Sequence, residues 1–211
     1  MLQYRAVNTS TLELLKILMQ YKSLDNFFLV GGTALALHLG HRVSIDLDLF
    51  FNKDFETSDI FQELHNDIEF KAIMQKEKNS MIINARKKNS SSEFVKIDFV
   101  KYSYPLINKL IEIDGLRLLS IEDIIAMKLS AVANRGAKKD FFDIYELLKK
   151  YSISDMLILF SKKFPETEHF QILKSLTYFD DAETEFDPIS LNNTSWEQVK
   201  MVIKDKVNDY L

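Results

Sequence analysis

The spacing of apolar positions divides the chain into short elements up to about residue 115 and longer helical ones after it. Residues 9–22 carry Leu12, Leu15, Ile17, Leu18 and Met19 at helical spacing behind Ser and Thr residues suited to an N-cap, which predicts a helix. Phe27-Phe28-Leu29-Val30 is a brief apolar run halted by Gly31-Gly32, the pattern of a buried strand ending at a tight turn. Thr33 to Leu39 is rich in helix formers and stops at Gly40, predicting a short helix directly behind the glycines. From Ser44 to Phe50 polar and apolar residues alternate. A strand there sets Ile45, Leu47 and Leu49 on one face and Asp46 and Asp48 on the other.

Residues 57–70 predict an amphipathic helix, and 80–87 and 93–100 predict two strands joined through Asn89-Ser90-Ser91-Ser92 as a hairpin. Residues 106–111 carry no decisive pattern. From Ser120 the period becomes helical, with helices at about 120–134 and 139–150 and more to follow. The expected class is α+β, with strands and helices over residues 1–115 and a helical part over 116–211 packed against them. No repeat or Pro/Gly-rich linker separates the two.

Composition narrows the chemistry. With 211 residues and 46% hydrophobic content the chain can bury a substantial core. No stretch approaches the roughly 20 apolar residues of a membrane span, and the start lacks a secretory pattern, so the expected address is the cytoplasm, without membrane contact. Zero cysteines exclude disulfides, thiolate metal sites and Cys nucleophiles. Only four histidines are present, so a bound metal is expected to have oxygen ligands, which favours Mg²⁺ or Mn²⁺. A formal charge of -4 argues against coating nucleic acid by overall basicity. Basic residues nevertheless collect at Lys71, Lys76, Lys78, Arg86, Lys87 and Lys88, and again at Arg135, Lys138 and Lys139. Alone, each cluster reads as a solvated surface.

The candidate site starts from Asp46 and Asp48. Two aspartates at i and i+2 on a strand project side by side, close enough to share a hard cation, and without one they raise each other's pKa. An isolated Asp-x-Asp reads as the wet face of an edge strand. The glycine pair before it changes the picture, because backbone N–H groups and a helix start at Gly31-Gly32-Thr33 offer an anion a seat. Thr33 adds a hydroxyl that could cap the helix or touch a phosphate. Asp98 interrupts the apolar strand 95–100 and is the candidate third carboxylate, nearest an attacking hydroxyl. Three acids around divalent ions suit in-line displacement at phosphorus.

Lys128 falls in the middle of the apolar stripe of Ile121, Ile124, Ile125, Leu129 and Val132. It either snorkels to the rim or enters a cleft to meet an anion such as a triphosphate. Asp140 and Asp143 share one side of the next helix, where the helix dipole alone explains acids in a first turn.

Phe28-Leu29-Val30-Gly31-Gly32-Thr33-Ala34-Leu35, followed by Gly40 to Phe50 with Asp46-Leu47-Asp48, resembles the signature of the AbiEii/AbiGii toxin family of nucleotidyltransferases. Lys128-x6-Arg135-x3-Lys139-Asp140-x2-Asp143 resembles that family's later motif. Coverage is about residues 25–150. The resemblance implies a polymerase-β-like fold with an N-terminal mixed sheet, flanking helices and a helical C-terminal part. It also implies a toxin role with a cognate antitoxin, and for some relatives transfer onto tRNA. By position, Gly31, Gly32 and Thr33 would hold the triphosphate of an NTP, Asp46 and Asp48 the metal ions, and Lys128 the nucleotide phosphates. Asp140 would be a further essential acid supported by Arg135, Lys139 and Asp143. Thr33 stands where serine is commoner, which keeps the hydroxyl. Three alternatives remain: transfer to a small molecule, a regulatory or interaction protein that keeps the fold, and an Asp-x-Asp glycosyltransferase. The last is disfavoured because only about 45 residues precede the motif.

Overall fold

The computed structural model describes residues 1–211. Seven strands form one mixed sheet in the order β3-β4-β5-β2-β1-β7-β6. In chain order they are β1 (Phe28–Leu29), β2 (Leu47–Phe51), β3 (Ile68–Glu77), β4 (Ser80–Lys87), β5 (Val95–Lys101), β6 (Ile111–Ile113) and β7 (Leu116–Leu118). Two neighbouring pairs, β2 with β5 and β1 with β7, run parallel, and the others are antiparallel. The class is α+β, as expected.

The first helix, α1 (Thr9–Leu18), stops four residues short of its expected end. Its N-cap is Asn8, without a side-chain cap bond, rather than a Ser or Thr. The second, α2 (Gly31–Leu39), is apolar on every side, and Thr33 to Leu37 are all buried. Such a helix belongs inside a molecule. It ends where expected, at Gly40, whose φ of 67° is the left-handed conformation that glycine adopts at helix ends. Helix α3 (Thr57–Leu64) is shorter than the expected 57–70, because residues from Ile68 onward enter β3. As an edge strand with mostly exposed central residues, β3 has no alternation that would mark it. The β6–β7 hairpin was also not anticipated. Its turn is Asp114-Gly115, both at positive φ, which is a hairpin signal in its own right.

Strand β2 begins at Leu47, so Ile45 is not on the buried face predicted for it and is 56% exposed. Pairing with β1 runs only from Phe28↔Phe50 to the Val30 N–H donating to the Asp48 carbonyl. Beyond that point the first chain turns into α2, leaving residues 45–46 without a strand neighbour.

Helices α4 (Ile121–Asn134) and α5 (Lys138–Leu147) appear within a few residues of the expected spans, and α6 (Ile153–Lys163), α7 (His169–Leu176), α8 (Asp180–Glu183) and α9 (Trp196–Tyr210) complete the chain. Ser120 caps α4 by accepting the Asp123 N–H, and Gly136, at φ 55°, ends it. Asp123 accepts the backbone N–H groups of Ile107 and Asn108 and the buried Lys163 ammonium, pinning the 102–110 connection to the helices. Strand β7 lies beyond residue 115 yet pairs with β1 inside the sheet. One apolar core of 50 buried residues runs from Leu2 to Val207 through sheet and helices alike.

Candidate active site

The glycine pair shapes the site by what it leaves room for. A Cβ on Gly31 would stand 2.4 Å from the Asp48 Oδ2, and one on Gly32 would stand 2.6 Å from the Arg42 Nη2. Real Cβ atoms do not approach so closely, and Gly31 also has φ 67°. The pair therefore lets a carboxylate and a guanidinium lie against the start of α2. That start carries no side-chain cap, so its N–H groups are not engaged by one.

Asp48 and Asp98 are register partners on the parallel strands β2 and β5. Burial pushes the Asp48 carboxyl up, and the Asp98 charge adds to it. Lys96, two residues before Asp98 and so on the same face, donates to Asp98 Oδ2 at 2.6 Å. The other oxygen, Asp98 Oδ1, is buried with no hydrogen-bond partner. Asp46 is half-buried just before β2, with the Lys139 ammonium 3.9 Å from its Oδ2. Thr33 is not the cap of α2. Its buried hydroxyl bonds to the Asp46 carbonyl and lies 2.8 Å from the Ser44 hydroxyl, fastening the Asp46 segment to the helix.

Behind this cleft is a buried ionic network. Arg42 grips Asp143 with two bonds, Nε to Oδ1 at 2.7 Å and Nη2 to Oδ2 at 2.9 Å, and His41 Nε2 lies 2.7 Å from the same carboxylate. The Lys128 ammonium sits between Asp140 Oδ1 at 2.8 Å and Asp143 Oδ2 at 2.6 Å. Arg135 donates Nε and Nη2 to Asp140 at 2.7 and 3.0 Å. Burial by itself would raise Asp143, but Arg42 and Lys128 hold it well below the usual carboxylate range. Asp140 is likewise lowered, burial being outweighed by Lys128 and Arg135. Lys128 stays charged for the reciprocal reason. Three permanent cations thus face two carboxylates, and the excess positive charge borders the cleft through the half-exposed Arg135.

Two readings change here. Lys128 does not snorkel to the rim: it is buried and lines the cleft, with its ammonium held between two protein carboxylates. Asp140 and Asp143 are not dipole-favoured surface acids: both are completely buried and neither lines the cleft. The cleft itself is polar throughout, with Gly32, Thr33, Asp46, Asp48 and Asp98 on one side and Lys96, Lys128, Arg135 and Lys139 around them.

A family model described as nucleotidyl transferase AbiEii toxin, type IV toxin–antitoxin system, matches residues 13–201. The chain belongs to the AbiEii family of nucleotidyltransferase toxins. Protein aq_aa25 of Aquifex aeolicus (strain VF5) is 32% identical over 194 residues, 89% of each chain. Among solved structures, MenT4, a nucleotidyltransferase toxin of Mycobacterium tuberculosis H37Rv, superposes with a TM-score of 0.62 at 14% identity. The match covers 98% of this chain and 85% of that one. JHP933 from Helicobacter pylori matches with a TM-score of 0.60 at 19% identity over 96% and 92% of the two chains. At these identities the likeness is one of fold.

In this AbiEii-family chain the residues that sequence reasoning left without a role are His41, Arg42, Ser44 and Lys96. Lys96 had a readable signal, its two-residue spacing from Asp98. Arg42 had none, since its partner Asp143 is 101 residues away. The C-terminal segment was missed too. It straps the motif loop: Val43 N–H donates to the Ile189 carbonyl at 2.9 Å, and Leu191 N–H donates to the His41 carbonyl at 2.8 Å. Lys138 ties the same strap to α5 through the Glu185 carbonyl and Asp187.

A divalent cation fits the donor chemistry, though no three acids or histidines already stand close enough together to hold one. The fit rests on Asp48, raised by burial and by Asp98, and on the unpartnered Asp98 Oδ1. Both are groups that a hard cation would satisfy.

Proposed function

We propose that this protein transfers a nucleoside monophosphate from an NTP to an acceptor hydroxyl on RNA, with tRNA as the acceptor, and acts as the toxin of a toxin–antitoxin pair in the cytoplasm. The observation that carries the reading is the register pair Asp48 and Asp98 beside the uncapped, glycine-opened start of α2, in a cleft lined by five cations. In this reading the sheet, which β7 carries on to Leu118, and the helices that follow it close on the nucleotide from two sides. Gly31, Gly32 and Thr33 border the seat of the triphosphate, where backbone N–H groups favour an anion. Arg135 and Lys139 supply its counter-charge. Lys128 acts mainly by keeping Asp140 and Asp143 ionised and in place, and those two acids are positioning residues that aim Arg135 and hold Arg42 against Gly32.

The acceptor oxygen attacks the α-phosphorus, a new P–O bond forms, and the bond to the bridging oxygen breaks to release pyrophosphate. Asp98, the carboxylate nearest that hydroxyl, receives its proton. Asp48 and Asp98, with Asp46 at the margin, would hold Mg²⁺ or Mn²⁺, which supplies neutralisation of the phosphates and a lower pKa for the hydroxyl.

The test is incubation with each α-labelled NTP, Mg²⁺ or Mn²⁺, and total tRNA, alongside protein and small-molecule acceptors. Label should enter RNA, and both chelation and Asp48→Ala should remove it. Label confined to a small molecule or to protein defeats the RNA assignment. Growth arrest that persists in Asp48→Ala cells defeats the catalytic toxin reading.

A further inference from the structure

A larger trough adjoins the catalytic cleft. It lies between the start of α1 and the start of β5, lined by residues 8–11, Ile45, Asp46 and residues 93–96. Its volume of about 490 Å³, against about 120 Å³ for the cleft, falls within the roughly 300–1,000 Å³ of small-ligand sites. Asp46 and Lys96 line both spaces, so trough and cleft share a wall.

Two apolar side chains of the trough are left partly in water. Ile45 sits inside the motif beside Asp46 with more than half its surface in water. Leu47 and Leu49, which continue its alternation along β2, are buried, and an apolar side chain gains by joining them. Phe94 is only half-buried, and the Arg86 guanidinium and Lys71 ammonium lie 4.4 and 5.7 Å from its ring centroid. Together they form an apolar gap edged by the polar side chains of Asn8, Thr9 and Ser10, beside a phosphoryl-transfer site.

We propose that the trough is the acceptor subsite and takes the terminal nucleoside of a single-stranded polynucleotide 3′ end, so that its hydroxyl arrives at the wall carried by Asp46. This rests on the nucleotidyl-transfer reading above. With Asp46 and Glu93 among its lining, the trough suits an uncharged base and ribose rather than a phosphate. Ile45 and Phe94 supply the apolar contact that a base face seeks, which is tolerant of base identity. The phosphates of the preceding nucleotides fall outside, where cations continue: Lys96 at the wall, which also holds Asp98, then Lys71 and the Glu69-paired Arg86 beyond Phe94 on the β3–β4 hairpin. Lys96 pairs in register with Asn84, and alternate residues of β4 and β5 on this face are left only partly buried. The path is therefore an open sheet face with basic and amide groups, a surface that tracks a single strand. A small-molecule acceptor would use the trough and leave the hairpin idle.

The test uses the full chain with a 5′-fluorescent single-stranded RNA. The variants are Ile45→Asp and Phe94→Ala, with Phe94→Trp as the conservative control. Direct RNA binding by anisotropy and the separate KM values for RNA and NTP are measured. RNA affinity should fall and RNA KM rise about tenfold in the first two variants. NTP KM should stay within about twofold, and Phe94→Trp should restore RNA binding. RNA KM unmoved in both variants overturns the trough assignment while leaving nucleotidyl transfer to RNA intact. RNA and NTP KM rising together overturns it as well, because the trough would then be part of the nucleotide seat. If the wild-type protein neither binds nor labels RNA, the RNA reading fails and the trough proposal goes with it.

Discussion

The two glycines act through absent atoms. Gly31→Ala must place a methyl group 2.4 Å from the Asp48 carboxylate at φ 67°, so it should lower transfer by about 10²-fold or more while costing only about 1–2 kcal/mol of stability. Urea unfolding and the labelled-NTP assay separate the two effects, and an active Gly31→Ala protein would contradict this account. Asp48 itself should show the opposite balance. Its carboxyl is raised in the fold, so the native state holds the proton to higher pH than the unfolded chain does. The penalty of ionising it is absent below the unfolded pKa and appears as pH rises through the folded one. Asp48→Asn should therefore abolish transfer yet raise Tm near pH 7, by roughly 2–4 °C for each kcal/mol relieved, with the gain shrinking toward pH 4. Thermal scans at the two pH values decide it, and a lower Tm at pH 7 refutes it.

At the scale of elements, α4 and α5 are held to the motif loop by charge rather than by apolar packing alone. Asp143 sits well below its ordinary pKa, so its stabilisation is fully present above the unfolded carboxylate value and lost as pH falls through the folded one. Asp143→Asn leaves Arg42 without its carboxylate and Lys128 with Asp140 alone, and should cost about 3–5 kcal/mol in urea at neutral pH, with the difference narrowing in acid. A loss under about 1 kcal/mol would mean that the network contributes little. The strap of residues 185–191 is a second brace. Leu191→Pro deletes the N–H that reaches the His41 carbonyl. Amide exchange at Val43 should quicken about tenfold or more, while exchange in β4 stays unchanged; equal protection at Val43 would show that the strap does not hold the loop.

For the whole molecule, the decisive fact is that the apolar core is continuous from sheet to helices. A chain with one core unfolds as one unit. Trp196, the only tryptophan, is packed with Phe141, Phe142 and Phe179 in the helical part, so its fluorescence reports on that part alone. Its denaturant transition should coincide with the far-UV circular dichroism transition of the whole chain. Two separated midpoints would show that the parts unfold independently.

Features that depend on neighbours in the chain were legible without coordinates. Period-two alternation predicted the partnership of Leu47 with Leu49 and of Asp46 with Asp48, Gly40 and Gly136 marked helix ends, and the polar break at Asp98 predicted a strand position facing the cleft. Local signals exist for these because they arise from side-chain direction and backbone sterics a few residues apart. The β3 and β6–β7 strands escaped because an exposed edge strand and three-residue strands have too few buried positions to show a period. Only the tertiary structure decided that Asp140 and Asp143 are buried, that Lys128 is neutralised inside the protein, that Arg42 needs the space at Gly32, and that residues 185–191 strap the motif loop. Each is a pairing of groups far apart in sequence, and the energy of a buried charge depends on the partner it meets, which no local pattern records.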